Sequence, residues 1–171
     1  NLAINARDAM PDGGELTIIL ARERLELAGI TGIDPARTLT DGTAMDVWRR
    51  MVRAQGGDPE AVLPTARENE VVTAPIGGVV TRMDALSVGI AAWRLGAGRA
   101  RKEDPVSAGA GIVLHAKPGD VVAQGAPLMT LHTDEPARFA RAHDALNGAV
   151  TVGVEGSRIE RLPLVLGRID G

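Results

Sequence analysis

A chain of 171 residues, 44% apolar and 24% charged, fits one ordinary domain, or one domain with an appended segment, and can bury a sizeable core. Its net charge of -3 gives no footprint for nucleic acid or an anionic membrane, and two Trp, one Phe and no Tyr leave no base-stacking platform. The absence of cysteine excludes disulfides, thiolate zinc sites and Cys nucleophiles.

No apolar run approaches the ~20 residues that span a bilayer. No basic-then-apolar leader opens the chain, so a cytoplasmic setting is expected. A start at Asn1 rather than Met reads as a fragment or a processed product.

Residues 1–14 begin helix-compatible, with Leu2, Ile4 and several alanines, and end in the turn signal Pro11-Asp12-Gly13-Gly14. In 15–29, Leu16, Ile19, Leu20 and Leu27 fall near helical spacing and Gly29 suits a C-cap, although Ile18-Ile19-Leu20 fits a buried strand equally. Residues 33–57 predict a helix capped by Thr40 or Asp41. Met45, Val47, Trp48, Met51, Val52 and Ala54 form its apolar face, with Arg49, Arg50 and Arg53 largely opposite. Residues 58–70 carry two prolines and read as a surface linker.

From Val71 the texture changes. Residues 71–80 place β-branched residues around Pro75-Ile76-Gly77-Gly78 and predict two short strands. A helix follows at 83–95, with Met83, Leu86, Ile90 and Trp93 on one stripe. Residues 96–109 form a glycine-rich charged loop. Short strands punctuated by Pro118-Gly119-Asp120, Gly125 and Pro127 fill 112–133, a helix spans about 135–147, and 162–169 reads as a final strand. Strands and helices mix without βαβ alternation, which makes residues 71–171 an α+β domain.

The punctuation of 71–80 and 112–133 makes a compact sandwich or half-barrel, as in lipoyl and biotinyl carriers. Those carriers modify a lysine at an exposed hairpin tip. Here Met129 precedes Thr130, and Lys117 precedes a Pro-Gly turn, so the architecture is present without the swinging arm. In the loop, Gly96, Gly98, Arg99, Arg101 and Lys102 could face an anion. Glu103 and Asp104 partly cancel that charge, and on chemistry alone an ordinary solvated loop is favoured. His115 and His132 can sit on neighbouring strands, but His143 lies apart, and catalytic zinc takes three protein ligands, so no metal site is expected. Asp144 beside His143 on a helix points away from it.

Taken together, 40–59, 71–106 and 109–139 resemble the carboxyl-terminal region of the thymidine and pyrimidine-nucleoside phosphorylases. The run from Asp84 to Arg99 (DALSVGIAAWRLGAGR) and His115 to Val122 (HAKPGDVV) are the specific stretches, and the likeness extends over about 15–171, including 163–169. The resemblance implies the family's carboxyl-terminal fold, an α/β-hammerhead with barrel-sandwich-like short strands preceded by helices. Residues 15–57 would then be a helical segment of the α/β domain, 58–70 a linker, and 71–171 the carboxyl-terminal domain.

It further implies a pentosyltransferase of nucleoside salvage: reversible phosphorolysis of thymidine or a related pyrimidine nucleoside, with phosphate as co-substrate and no cofactor. In the family a homodimer closes its domains over the substrates. No lysine-threonine-glycine phosphate signature occurs in this chain, so no catalytic residue carries over. The loop at 96–105 resembles the family's closing loop. This part of the family does not make the main dimer contacts, which leaves the chain free to be monomeric.

Residues 1–18 instead resemble the N box of sensor histidine kinases, with Asn1 and Asn5 at i, i+4 as in an ATP–Mg²⁺ helix. The other nucleotide-binding boxes are absent. A kinase context predicts a strand from Glu15, and the phosphorylase context a helix over 15–28. Two further readings stand beside the phosphorylase one: a non-catalytic interaction module that kept the sandwich, and a kinase fragment.

Overall fold

The computed structural model describes residues 15–99, 101–159 and 167. The expectations for 1–14, including the N-box asparagines, and, Gly167 apart, for a strand at 162–169 lie outside the described residues. The chain divides into two compact units, one ending at Val62 and the other running Leu63–Leu162.

In the first unit, helix α1 spans Glu15–Leu27, as the phosphorylase register requires. It ends as its sequence predicts. The Gly29 N–H donates to the Glu26 carbonyl, the Ile30 N–H to that of Leu25, and Gly29 adopts φ 67. The helix expected over 33–57 is two helices, α2 (Pro35–Thr40) and α3 (Thr43–Ala54). Asp34 caps α2, with Pro35 in its first turn. Gly42, at φ 85, breaks the run, and the Asp41 carboxylate accepts from the Thr43 N–H at 3.0 Å. Asp41 therefore does stabilise the start of α3, one residue before the cap position itself. No residue of α2 or α3 is buried, and Met45, Val47 and Met51 are exposed.

The second unit holds two open, three-stranded antiparallel sheets, so it is α+β without a closed barrel. Sheet one orders β1 (Glu68–Thr73), β5 (Pro127–Thr133) and β3 (Gly111–Leu114) with β5 central. Sheet two orders β4 (Val121–Val122), β2 (Gly78–Met83) and β6 (Val150–Gly153). Glu68–Glu70, read as linker, belong to β1 because they pair with Thr133–Leu131 of β5. The Pro75–Gly78 turn therefore makes no hairpin; it carries the chain from one sheet to the other. β6 was not visible in the sequence.

Helix α4 (Ala85–Ala92) is capped by Asp84, whose carboxylate accepts from the Ser87 N–H at 2.8 Å. That hydrogen bond, with a further one from the Ser87 side chain and the nearby Arg82 guanidinium, holds the Asp84 carboxyl below the usual carboxylate range. A wide turn, Trp93–Ala97, extends α4 and ends at Gly96, φ 115. Helix α5 (Arg138–Leu146) completes the layer.

The core is split between the sheets. Ala91, Leu95, Met129, Leu131, Phe139 and Ala142 form the larger cluster, where α4 and α5 cover sheet one. Ala74, Val80, Ala116 and Leu128 form the smaller. Period-2 alternation along β5 places Met129, Leu131 and Thr133 on one buried row. Of the stripe Met83, Leu86, Ile90 and Trp93, only Met83 packs against the larger cluster. Met83 ends β2, and Leu86 is 73%, Ile90 37% and Trp93 40% exposed. The face that packs on the core runs from partly buried Val88 through buried Ala91 to Leu95 of the following turn, one step round the helix, with small and medium side chains against α5.

Candidate functional site

The loop expected to close over a substrate runs from Gly96 and is anchored at both ends. At its start, the Thr133 hydroxyl, buried in the apolar row of β5, donates to the Leu95 carbonyl at 2.7 Å. At its far end the Ser107 N–H returns to the Gly96 carbonyl at 3.0 Å. The Ser107 hydroxyl donates to Asp134, which also accepts from the Arg67 N–H. These donors hold the Asp134 carboxyl below its usual range, the Ser107 hydroxyl contributing most. Sequence pattern by itself hardly marks Thr133. Its one signal is a hydroxyl at the third position of an apolar alternating row.

Between these anchors the indole N–H of Trp93 donates to the Arg99 carbonyl at 3.0 Å. Gly98 lies against the same ring: a Cβ there would stand 2.6 Å from Trp93 Cδ1. The Arg101 N–H donates to Asp104 Oδ2 at 2.8 Å, and the Asp104 N–H returns to the Arg101 carbonyl, closing a tight turn. Of the five residues proposed for the loop, Gly96 is buried under it and Gly98 lines a neighbouring cavity. Arg99, Arg101 and Lys102 are exposed and do not line that cavity.

Replacing Thr133 by valine keeps the shape and removes the hydroxyl. The expected loss is ~1–3 kcal/mol, the cost of breaking a buried hydrogen bond from one side. Urea midpoints should fall at unchanged slope, with faster amide exchange at Ser107. An unchanged midpoint would show that the hydroxyl does not tether the loop.

The cavity beside the loop measures about 260 Å³ and is lined by Trp93, Arg94, Gly98, Asp104, Pro105, Arg138 and Arg141. Arg94 Nη1 donates to the Arg141 carbonyl at 2.7 Å, and Arg138 pairs with Glu135 at 2.8 Å. The hydrogen bond from Arg138 to the Glu135 carboxylate, aided by the charges of Glu135 and Asp104, raises the Arg138 pKa further.

The carrier-like features resolve as structure. Met129 is fully buried in the central strand β5 rather than at a hairpin tip. Lys117-Pro118-Gly119-Asp120 closes on itself through the Lys117 N–H to Asp120 Oδ2 at 2.7 Å, with Gly119 at φ 113. His115 is bonded to the Thr130 hydroxyl at 2.7 Å, and His143 meets Glu70 at 2.8 Å rather than its neighbour Asp144. Among the described residues, no three His, Asp or Glu side chains come together as a metal site. No helix among them is long and apolar enough to cross a membrane.

The family described as pyrimidine nucleoside phosphorylase C-terminal domain matches residues 79–153. A thymidine phosphorylase of Mycobacterium tuberculosis is 48% identical over 168 residues, covering 98% of this chain and 39% of that protein. A pyrimidine-nucleoside phosphorylase of Staphylococcus haemolyticus is 36% identical over 131 residues, 70% of this chain and 30% of that one. The human thymidine phosphorylase is 32% identical over 162 residues, 83% of this chain and 34% of that one. The chain thus spans less than two fifths of the length of these curated relatives. The mycobacterial likeness takes in nearly the whole chain, which leaves little of residues 1–18 outside it and lends the kinase resemblance no support.

Proposed function

We propose, because this chain carries the carboxyl-terminal region of the thymidine and pyrimidine-nucleoside phosphorylase family, that it serves reversible phosphorolysis of a pyrimidine nucleoside as a supporting part. The carrying observation is the 48% identity that runs over 98% of the chain. The second unit is a scaffold: two small sheets and two helices hold the loop from Gly96 in place through Leu95, Ser107, Thr133 and Asp134. The loop closes over substrates held by other parts of the enzyme, with Gly96 and Gly98 setting its backbone and Arg99, Arg101 and Lys102 its charge. The chemistry itself requires a phosphate cradle and groups that stabilise the departing pyrimidine, and no residue here is assigned to either. Thymidine or a related nucleoside and phosphate are the proposed substrates, in a cytoplasmic homodimer without a cofactor.

The test is phosphorolysis of thymidine by the 171-residue chain, alone and with the amino-terminal part of a thymidine phosphorylase added in trans. Alone, the chain is expected to release no thymine. With the added part, turnover above that of either piece is expected. Thymine released by the chain alone would refute the supporting role. A folded chain that gives no gain in trans would favour the non-catalytic interaction module instead.

A further inference from the structure

We propose that the cavity lined by Trp93, Arg94, Arg138 and Arg141 is a binding site for a phosphate-type oxyanion, free or carried by a small phosphomonoester. This inference stands apart from the proposed function, since the cavity lies wholly within the second unit and is formed by its own residues.

Arg94, Arg138 and Arg141 line this cavity of about 260 Å³ together with a single acidic residue, Asp104. Glu135 pairs with Arg138, and beyond it the lining still carries more positive than negative charge, which draws an anion into the cavity. Each guanidinium carries five N–H donors in a planar fork suited to phosphate oxygens. Arg94 commits Nη1 to the Arg141 carbonyl, and Arg138 commits Nη2 to Glu135. Both side chains are thereby oriented while keeping further donors. Arg94 and Arg138 are also half-buried, which lessens the screening of their charge by water.

The supports are rigid ones. Arg94 sits in the turn that extends α4, and Arg138 and Arg141 sit one turn apart on α5; these two helices pack on each other across the larger core cluster. A site built on packed helices holds its donors better than one built on a loop.

Size and walls narrow the ligand class. The cavity falls just under the ~300–1,000 Å³ of typical small-molecule sites, which suits phosphate or a small phosphomonoester. Trp93 and Pro105 give apolar wall beside the arginines. The indole N–H is already engaged by the Arg99 carbonyl, so the ring offers surface rather than a hydrogen bond.

Asp104 couples the site to the loop. Its carboxylate accepts from the Arg101 N–H and is the one anionic side chain in the lining, so an arriving oxyanion competes with it for the same cations.

The experiment is calorimetric titration of the 171-residue chain at low ionic strength with inorganic phosphate and, separately, ribose 5-phosphate. Binding is expected with a Kd of ~1 mM or tighter. The double variant Arg138→Gln/Arg141→Gln should weaken it at least ~tenfold, as expected when charge-assisted bonds to an anion are lost. Asp104→Asn should tighten it ~threefold or more by removing the competing charge. That gain guards against misfolding, because a damaged fold would not bind better. Tighter binding of the phosphomonoester supports use of the Trp93 wall, and equal binding supports an oxyanion-only site. No heat with either ligand up to ~20 mM, far weaker than such a charge set should give, overturns the proposal. So does affinity unchanged in both variants.

Discussion

Gly78→Ala should cost ~3 kcal/mol or more, the upper end of what a disallowed backbone conformation stores. Gly78 opens β2 at φ 152, where L side chains are strained, and a Cβ there would overlap the Gly153 carbonyl oxygen on β6. The neighbouring atom is backbone, so relief requires moving a strand that also pairs through Val79–Met83. Gly89→Ala gives the opposite sign. Gly89 lies inside α4 with nothing within 4 Å of its virtual Cβ, and alanine should stabilise there by ~1 kcal/mol through helix propensity. Both are read from urea unfolding followed by Trp93 fluorescence in a Trp48→Phe background, which isolates the second unit. A Gly78→Ala protein within ~1 kcal/mol of its parent, as for an ordinary exposed site, would show that the strands do not approach this closely.

Leu131→Ala should lose ~2–5 kcal/mol, the cost of transfer and of the cavity left behind. Leu131 is 0% exposed at the centre of β5, between β1 and β3 and under the two helices. Leu86→Ala, at a site 73% exposed on α4, should change stability by no more than ~0.5 kcal/mol. The pair tests which face of α4 packs. A large loss at Leu86 with little at Leu131 would mean the helix is rotated and that the stripe Leu86, Ile90 and Trp93 is the buried one.

That stripe shows where one-dimensional reading stops. Leu86, Ile90 and Trp93 have the spacing and size of a core face, yet Val88, Ala91 and Leu95 have helical spacing too. Choosing between two apolar faces requires knowing the partner, and the partner here is α5 with Ala142 at the crossing. Likewise, Gly42 stands within 33–57 among good helix formers, and a positive φ at that glycine divides α2 from α3. The C-cap at Gly29, the Lys117–Asp120 turn and the α+β texture were legible because each rests on neighbours in the chain. The loop from Gly96 was legible as glycine-rich and charged. Its anchoring through Thr133 and Asp134 was not, because those partners lie more than twenty-five residues away.

By itself the sequence determined the family likeness, most of the helices and strands, and several turns, since local backbone preference and side-chain periodicity act over a few residues. Only the tertiary structure decided that Pro75–Gly78 passes between two sheets, that Glu68–Glu70 join β5, and that Arg94 meets Arg138 and Arg141 around one cavity. Those outcomes depend on strand pairing and helix packing between distant segments, where long-range burial and hydrogen bonding override what any short window of residues prefers.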